Sequence, residues 1–261
     1  MLFNLNGKIS DKPFSTVNRS FKYGDGLFES MRIFNGTIFN LNNHIKRLSE
    51  GLKLLKINIP NNLSFLFNSV QDLVEKNNIS RGGHARLTVY RNSNGYYLPE
   101  NNNAGFLIEV KKDHENEFIL EKKGIKTIFY NEYYKPISKL SNIKTNNSLI
   151  YILGSIYARE NLVDDSVLIN TNGNIVETTN SNIFIKKNSE LITPPLDQGP
   201  LNGTIRKLLI ENFNVCEKSV TIDDYNNADE VVFTNIKGIK WLDSKNNNLA
   251  REITQKLNTL I

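Results

Sequence analysis

Three of the five Asn-Gly dipeptides, those at 6–7, 35–36 and 172–173, each fall between two short apolar runs. Asn-Gly favours the tight primed turns that join antiparallel strands, so each pair of runs reads as a hairpin. This limits the fold more than any other feature, because hairpins cannot be laid down inside an all-helical or all-parallel chain. Strands are expected over 2–9, at the alternating run ending at Phe34, and over 85–91, 104–111, 125–130, 166–170, 175–177, 182–186, 190–193, 215–220 and 230–235. Between them the spacing turns helical. Leu41, Ile45, Leu48, Leu52 and Leu55 define a helix over 41–55, and further helices are expected over 61–76, 146–160, 203–212, 222–226 and 249–257. A loop through Pro13 leads into Gly24-Asp25-Gly26, which reads either as a tight turn or as a close backbone approach. Helices mixed with mainly antiparallel strands give an α+β fold. The charged stretch 112–123 divides it into an N-terminal domain over 1–112, a linker over 113–124 and a C-terminal domain over 125–261.

Bulk properties narrow the function classes. The 261 residues are 39% hydrophobic and 23% charged, as in a globular chain. The single cysteine, Cys216, excludes an internal disulfide and a cysteine-based metal site. The net charge of +5 is spread among 27 acids instead of being gathered in a stripe, which argues against a nucleic-acid partner and allows for an anionic small molecule. No signal peptide or membrane-length apolar run is visible, so a cytoplasmic location is expected by default.

Chemistry concentrates in the second half. Lys144 follows an apolar Ile143 and precedes the expected helix. Then come Gly173-Asn174-Ile175-Val176-Glu177-Thr178-Thr179-Asn180-Ser181-Asn182-Ile183-Phe184 and, later, Thr193-Pro194-Pro195 and Leu201-Asn202-Gly203-Thr204-Ile205-Arg206. A lysine picked at random is a solvated surface residue. In this order, however, a lysine, a glutamate and an acid-free helix start are what pyridoxal phosphate chemistry requires. In the first half, His44 and Arg47 fall three apart on one helix and can share a face. His44 alone is more often structural than catalytic.

From Arg19 to about Leu242 the chain resembles the class IV aminotransferases, fold type IV pyridoxal-phosphate enzymes. That family includes branched-chain and D-amino-acid aminotransferases and aminodeoxychorismate lyase. The resemblance implies a two-domain α+β fold and a homodimer, with pyridoxal 5'-phosphate at the domain interface and the loop 92–98 reaching the partner. It makes Lys144 the Schiff-base lysine and the proton carrier at the substrate Cα, and Glu177 the acid facing the pyridine nitrogen. Arg47 is the implied phosphate-binding arginine. Thr204 and Ile205 open the phosphate-binding helix, where the family often has Ile-Thr-Arg. Leu201 packs on the ring, and Thr234 and Asn235 add polar contacts near the cofactor.

On the substrate side the resemblance places Tyr23, Ser30, Arg32 and Arg86, with Arg86 suited to a carboxylate. The loop 92–99 lacks the Arg and His of D-specific enzymes and the Arg-Gly-Tyr of many lyases. Ser30 and Phe233-Thr234-Asn235 nonetheless look lyase-like. The implied activity is amino transfer between a small, branched-chain or other apolar amino acid and a 2-oxo acid. The alternative is a 4-amino-4-deoxychorismate lyase releasing pyruvate and 4-aminobenzoate. A third, remote reading is a non-catalytic basic binding protein, which would be colourless.

Overall fold

The computed structural model describes residues 3–10, 19–59 and 62–261. The expected loop through Pro13 and the first residues of the expected segments 2–9 and 61–76 lie outside these. The chain forms two compact units. One comprises Met1–Glu117 with Ile143–Asn147, and the other Phe118–Asn142 with Ser148–Ile261. The short segment carrying Lys144 is therefore grouped with the N-terminal unit, not with the C-terminal half that flanks it in sequence.

The first unit contains β1 (Phe3–Leu5), β2 (Lys8–Ser10), α1 (Arg19–Tyr23), β3 (Gly26–Phe34), β4 (Thr37–Ile38), α2 (Leu41–Leu55), α3 (Leu63–Lys76), β5 (Gly83–Arg91) and β6 (Ala104–Lys112). The strands make one antiparallel sheet in the order β2-β1-β6-β5-β3-β4. Asn6-Gly7 and Asn35-Gly36 turn with positive φ at both residues, as the type I′ geometry demands. Alternation along β3 and β5 sends Leu27, Met31, Ile33, Ala85, Leu87 and Val89 to one face. There they pack with Leu48 and Leu52 of α2 and Leu66, Val70, Leu73 and Val74 of α3. Gly51 lets α2 lie against β3, since a Cβ there would fall 2.8 Å from the Leu27 side chain. Phe28, Ser30, Arg86 and Thr88 point to the other, less buried face.

The second unit contains β7 (Thr127–Lys135), α4 (Leu149–Glu160), β8 (Asp165–Asn170), β9 (Ile175–Thr178), β10 (Asn182–Lys187), β11 (Glu190–Thr193), α5 (Thr204–Asn212), β12 (Val215–Glu217), α6 (Ile222–Asn226), β13 (Glu230–Asn235), β14 (Gly238–Trp241) and α7 (Asn248–Asn258). Its sheet runs β12-β11-β10-β9-β8-β7, and β10 also pairs with β13, which pairs with β14. The β7–β8 and β11–β12 pairs are parallel and the remainder antiparallel. β10 thus sits at the centre with Asn182 opposite both Glu177 and Thr234. Apolar side chains of β8, β9, β10 and β13, including Val167, Ile175, Ile183, Val231 and Phe233, build a second core with Val220 and Tyr225.

Several boundaries differ from expectation for local reasons. Residues 19–23 form a short helix inside the expected loop. The helix expected from Asn146 begins at Leu149, because residues 144–146 are bonded to β3 in extended form. β7 continues past Tyr130 to Lys135 across a register shift, and β12 stops at Glu217. β14 was not expected; it is short, and only Ile239 and Trp241 alternate into the interior. No helix among the described residues is long and apolar enough to cross a membrane.

Candidate active site

In the first unit the Lys144 segment docks as an extra piece of strand beside β3. Phe28 N–H donates to the Lys144 carbonyl at 2.9 Å and Asn146 N–H to the Gly26 carbonyl at 2.9 Å, with Thr145 bridged to Leu27. Gly26 permits this approach, since a Cβ there would meet the Asn146 side chain and the Val89 carbonyl at 2.6 Å. The Lys144 ammonium then lies 4.4 Å from the centroid of the Phe28 ring. The Arg86 guanidinium lies 3.8 Å from the same ring. Ser30 is the cross-strand neighbour of Arg86. An amine and a guanidinium thus share one aromatic ring on the open face of the sheet. Burial at that ring pushes the Arg86 guanidinium below its ordinary value, and the Glu109 carboxylate partly offsets this. The side chain is nonetheless among the exposed ones.

Beneath Phe28, on the core face, Glu29 is buried between two α2 side chains. Its carboxylate accepts from Arg47 Nε at 2.8 Å, from Arg47 Nη2 at 2.5 Å and from His44 Nδ1 at 2.6 Å. Burial pushes the Glu29 carboxyl up. The Arg47 charge and hydrogen bonds, together with those of His44, outweigh it and hold the carboxyl at about 2. Burial lowers the His44 imidazole, Glu29 raises it, and Arg47 and Lys144 lower it further, so the net direction is down. A carboxylate only accepts, so Nδ1 carries the proton. Among the described residues, Nε2 is left buried with no protein partner.

One expected substrate residue, Arg32, stands apart from this cluster. Arg32 is buried against Asp113 at 2.8 Å, His84 Nε2 at 2.6 Å and Glu115 at 3.2 Å. It sits four residues along β3 from Phe28, roughly 13 Å at the rise of a strand. Tyr23 stacks under the Arg19 guanidinium at 5.0 Å and against Tyr97 at 5.7 Å. Arg19 Nη1 also donates to the carbonyls of Gly95 and Tyr96, which fixes the loop whose tip exposes Tyr96, Tyr97 and Leu98.

In the second unit Glu177 occupies β9, only 3% exposed. Its Oε1 accepts from the Lys135 ammonium and, at 2.9 Å, from the Tyr151 hydroxyl. Its Oε2 accepts from the Leu201 N–H at 2.8 Å and from Asn182 Nδ2 at 3.4 Å. Burial, then the Glu177 charge and hydrogen bond, push the Tyr151 phenol far up, so it remains a donor. Sequence reasoning missed Lys135 and Tyr151. The pairing partner lies 42 positions from Lys135, and β7 was expected to end before it.

Gly203 leads into α5, with no acid in the first turn and no side-chain cap. A Cβ on Gly203 would fall 1.9 Å from Asn182 Oδ1, so glycine is required for the helix start to approach β10. Thr204 and Ile205 are buried there. On β13 the Thr234 hydroxyl is buried without a protein partner among the described residues. Asn235 Nδ2 donates to the Asn180 carbonyl at 3.1 Å and to Ser181 Oγ at 3.0 Å, which ties the turn after Glu177 to β13. The structure therefore gathers Lys144, Arg86, Ser30 and Arg47 around β3, and Glu177, Leu201, Thr204, Ile205, Thr234 and Asn235 around β10.

Residues 26–236 match the sequence model of the amino-transferase class IV family. A Methanocaldococcus jannaschii protein provisionally named branched-chain-amino-acid aminotransferase is 32% identical over 275 residues, covering 98% of this chain and 94% of its own. The branched-chain aminotransferase of Thermoproteus uzoniensis, solved with norvaline, superposes with a TM-score of 0.88 at 22% identity, over 98% of this chain and 93% of that one. A Legionella pneumophila protein provisionally named 4-amino-4-deoxychorismate lyase gives 0.86 at 23% identity, over 96% of each chain. The chain belongs to the class IV aminotransferases, whose members are pyridoxal-phosphate-dependent enzymes of the α+β fold type IV architecture.

Proposed function

We propose that this enzyme binds pyridoxal 5'-phosphate and moves an amino group between a small apolar, branched-chain amino acid and a 2-oxo acid. The observation that carries the reading is the pair of cations on Phe28. Lys144 offers an amine for the chemistry and Arg86 a guanidinium for a substrate carboxylate, on one open face. The relative at 32% identity supports the choice of donor. The residues fit the cofactor: among the described residues the buried Thr234 hydroxyl has no protein partner, and α5 begins with no acid in its first turn and no side-chain cap, which suits an anion.

Bound pyridoxal phosphate supplies the carbonyl that captures the amino group and the electron sink that lets the Cα proton leave. The chain supplies the rest. The Lys144 amine would hold the cofactor and, once displaced, would carry the proton taken from the substrate Cα. Arg86 orients the substrate by its carboxylate, with Phe28 as a flat wall. Glu177 would accept from the ring nitrogen, and Leu201 would lie against the ring. The N–H groups of Thr204 and Ile205 and the Thr234 hydroxyl hold phosphate in the second unit, and Asn235 orders the adjoining turn. Arg47, braced by Glu29, offers a guanidinium to phosphate in the first. Tyr23 and Ser30 shape the substrate side.

The half-buried Ser30 hydroxyl beside Arg86 favours one second reading, a lyase acting on 4-amino-4-deoxychorismate. One experiment separates the two. Purified protein loaded with pyridoxal phosphate is given L-valine, L-leucine or L-isoleucine without an acceptor. Transamination converts the cofactor to pyridoxamine phosphate and releases the matching 2-oxo acid. If no amino acid does so, and 4-amino-4-deoxychorismate yields pyruvate, the lyase replaces it.

Self-association is part of the same reading. Tyr96, Tyr97 and Leu98, 84–90% exposed at a loop tip held by Arg19, form a large apolar surface, as does the stripe Leu149, Ile152, Leu153 and Ile156 on α4. Light scattering is expected to give twice the 29.8 kDa chain mass, and a monomer would refute this part.

A further inference from the structure

Glu177 already has as many donors as a carboxylate can take. Two oxygens offer about four lone-pair sites, and Lys135, Tyr151, the Leu201 N–H and Asn182 use four. A ring N–H brought to this carboxylate must displace one of them. The Leu201 donor is backbone at 2.8 Å and cannot swing. The Asn182 contact is the long one at 3.4 Å, and the same nitrogen has a better acceptor in the Leu201 carbonyl at 2.9 Å. Asn182 therefore yields most cheaply. Oε2 becomes the acceptor for the ring, while Oε1 stays with Tyr151 and Lys135.

Lys135 itself has no solvent to return to. It is 2% exposed, at the end of β7, with its ammonium 5.2 Å from the centroid of the Tyr151 ring and 3.5 Å from the Ser141 carbonyl. A buried ammonium remains where its counter-charge is. The groups facing the carboxylate are thus one cation from β7, one phenol from α4 that keeps its proton, and two neutral amides from Asn182 and Leu201. Of these, only Lys135 carries charge.

We propose that Lys135 is a positioning residue for Glu177, pinning Oε1 and balancing its charge, and that it thereby sets how tightly the cofactor's ring nitrogen holds its proton. The proposal rests on the reading above that Glu177 faces that nitrogen. A proton on the ring meets a neutral ammonium–carboxylate pair and not a lone anion, so it is held less firmly. Removing the ammonium restores the lone anion and raises the pH at which the ring nitrogen gives up its proton. A charge within about 4–6 Å of a titrating group moves it by about 1–3 pH units, and the upward shift is expected at the lower end of that range.

The test loads wild type, K135M and K135R with pyridoxal phosphate labelled with ¹⁵N in the ring and follows the ring nitrogen by NMR against pH. Cofactor stoichiometry and melting temperature are measured in parallel. K135M is expected to titrate at least about one pH unit higher than wild type, and K135R, which keeps the charge, close to wild type. A K135M protein that melts lower yet titrates as wild type has lost only a structural contact, and that result overturns the proposal. Should K135M fail to fold, K135Q, which keeps a polar side chain without the charge, is measured in its place. Loss of the ammonium must again raise the titration, and an equal or lower value overturns the proposal. A wild-type protein that takes up no pyridoxal phosphate refutes the parent reading and removes this one with it.

Discussion

Glu29→Gln tests the buried arrangement beneath Lys144. The carboxyl is held at about 2 against an ordinary 4.5 because Arg47 and His44 outweigh its burial, a gap worth about 3 kcal/mol of folding free energy. Both partners are buried, so solvent screens little of this. Removing the charge also takes the charged acceptor away from the buried Arg47 guanidinium, and breaking a buried ion pair usually costs about 3–5 kcal/mol. At pH 7 the variant should lose about 3 kcal/mol, a fall in melting temperature on the order of 6–12 °C for a chain of this size. The sign of the pH dependence follows from the depressed carboxyl. Its contribution is complete above about pH 4.5 and fades as the pH falls toward 2. Urea unfolding of both proteins between pH 3 and 7 is the assay. The gap between them should be widest at neutral pH and narrow below about 4.5. A loss under about 1 kcal/mol at pH 7, or a gap independent of pH, would refute the reasoning.

Other perturbations probe the proposed roles. Glu177→Gln should slow turnover more than it weakens cofactor retention, measured by dialysis; equal losses would argue against a role at the ring nitrogen. Arg86→Leu should raise KM for the amino acid by roughly 10- to 100-fold with a smaller change in kcat, the worth of a hydrogen bond to a charged group. Unchanged KM would place the carboxylate elsewhere. Gly203→Ala puts a Cβ 1.9 Å from Asn182 Oδ1, whose side chain also holds Glu177 and Leu201. A destabilisation of about 1–3 kcal/mol is expected by thermal melting, and wild-type stability would mean the helix start can shift freely.

What the sequence made legible follows from how local the cause is. α2 was readable over its whole length because five apolar residues keep one helical spacing. The strands from β8 to β11 were readable because each holds a short run of Val, Ile, Leu or Phe bounded by turn residues. Residues 145–148 look like a polar helix start, but the Lys144 carbonyl and the Asn146 N–H are taken up by β3, a partner more than a hundred residues away. Tyr133-Tyr134-Lys135-Pro136 looks like a solvated strand end, and only pairing with Glu177 shows that the lysine is interior. Similarly, His44 and Arg47 could be placed on one helix face, but nothing local revealed Glu29 as the acid between them. Arg32 illustrates the converse. Its position in the motif suggested substrate, while Asp113 and Glu115, from the far end of the unit, engage it instead. Buried charges are set by tertiary partners, so motif and period locate them without saying what they face.

The central claim is that Lys144 carries the cofactor. Sodium borohydride fixes pyridoxal phosphate to whichever amine it is bonded to, and peptide mass spectrometry then finds the modified lysine. The account predicts one cofactor per chain, on Lys144, and none in the Lys144→Ala protein, which stays folded and turns nothing over. Label on Lys135, or label and turnover that survive Lys144→Ala, would contradict it.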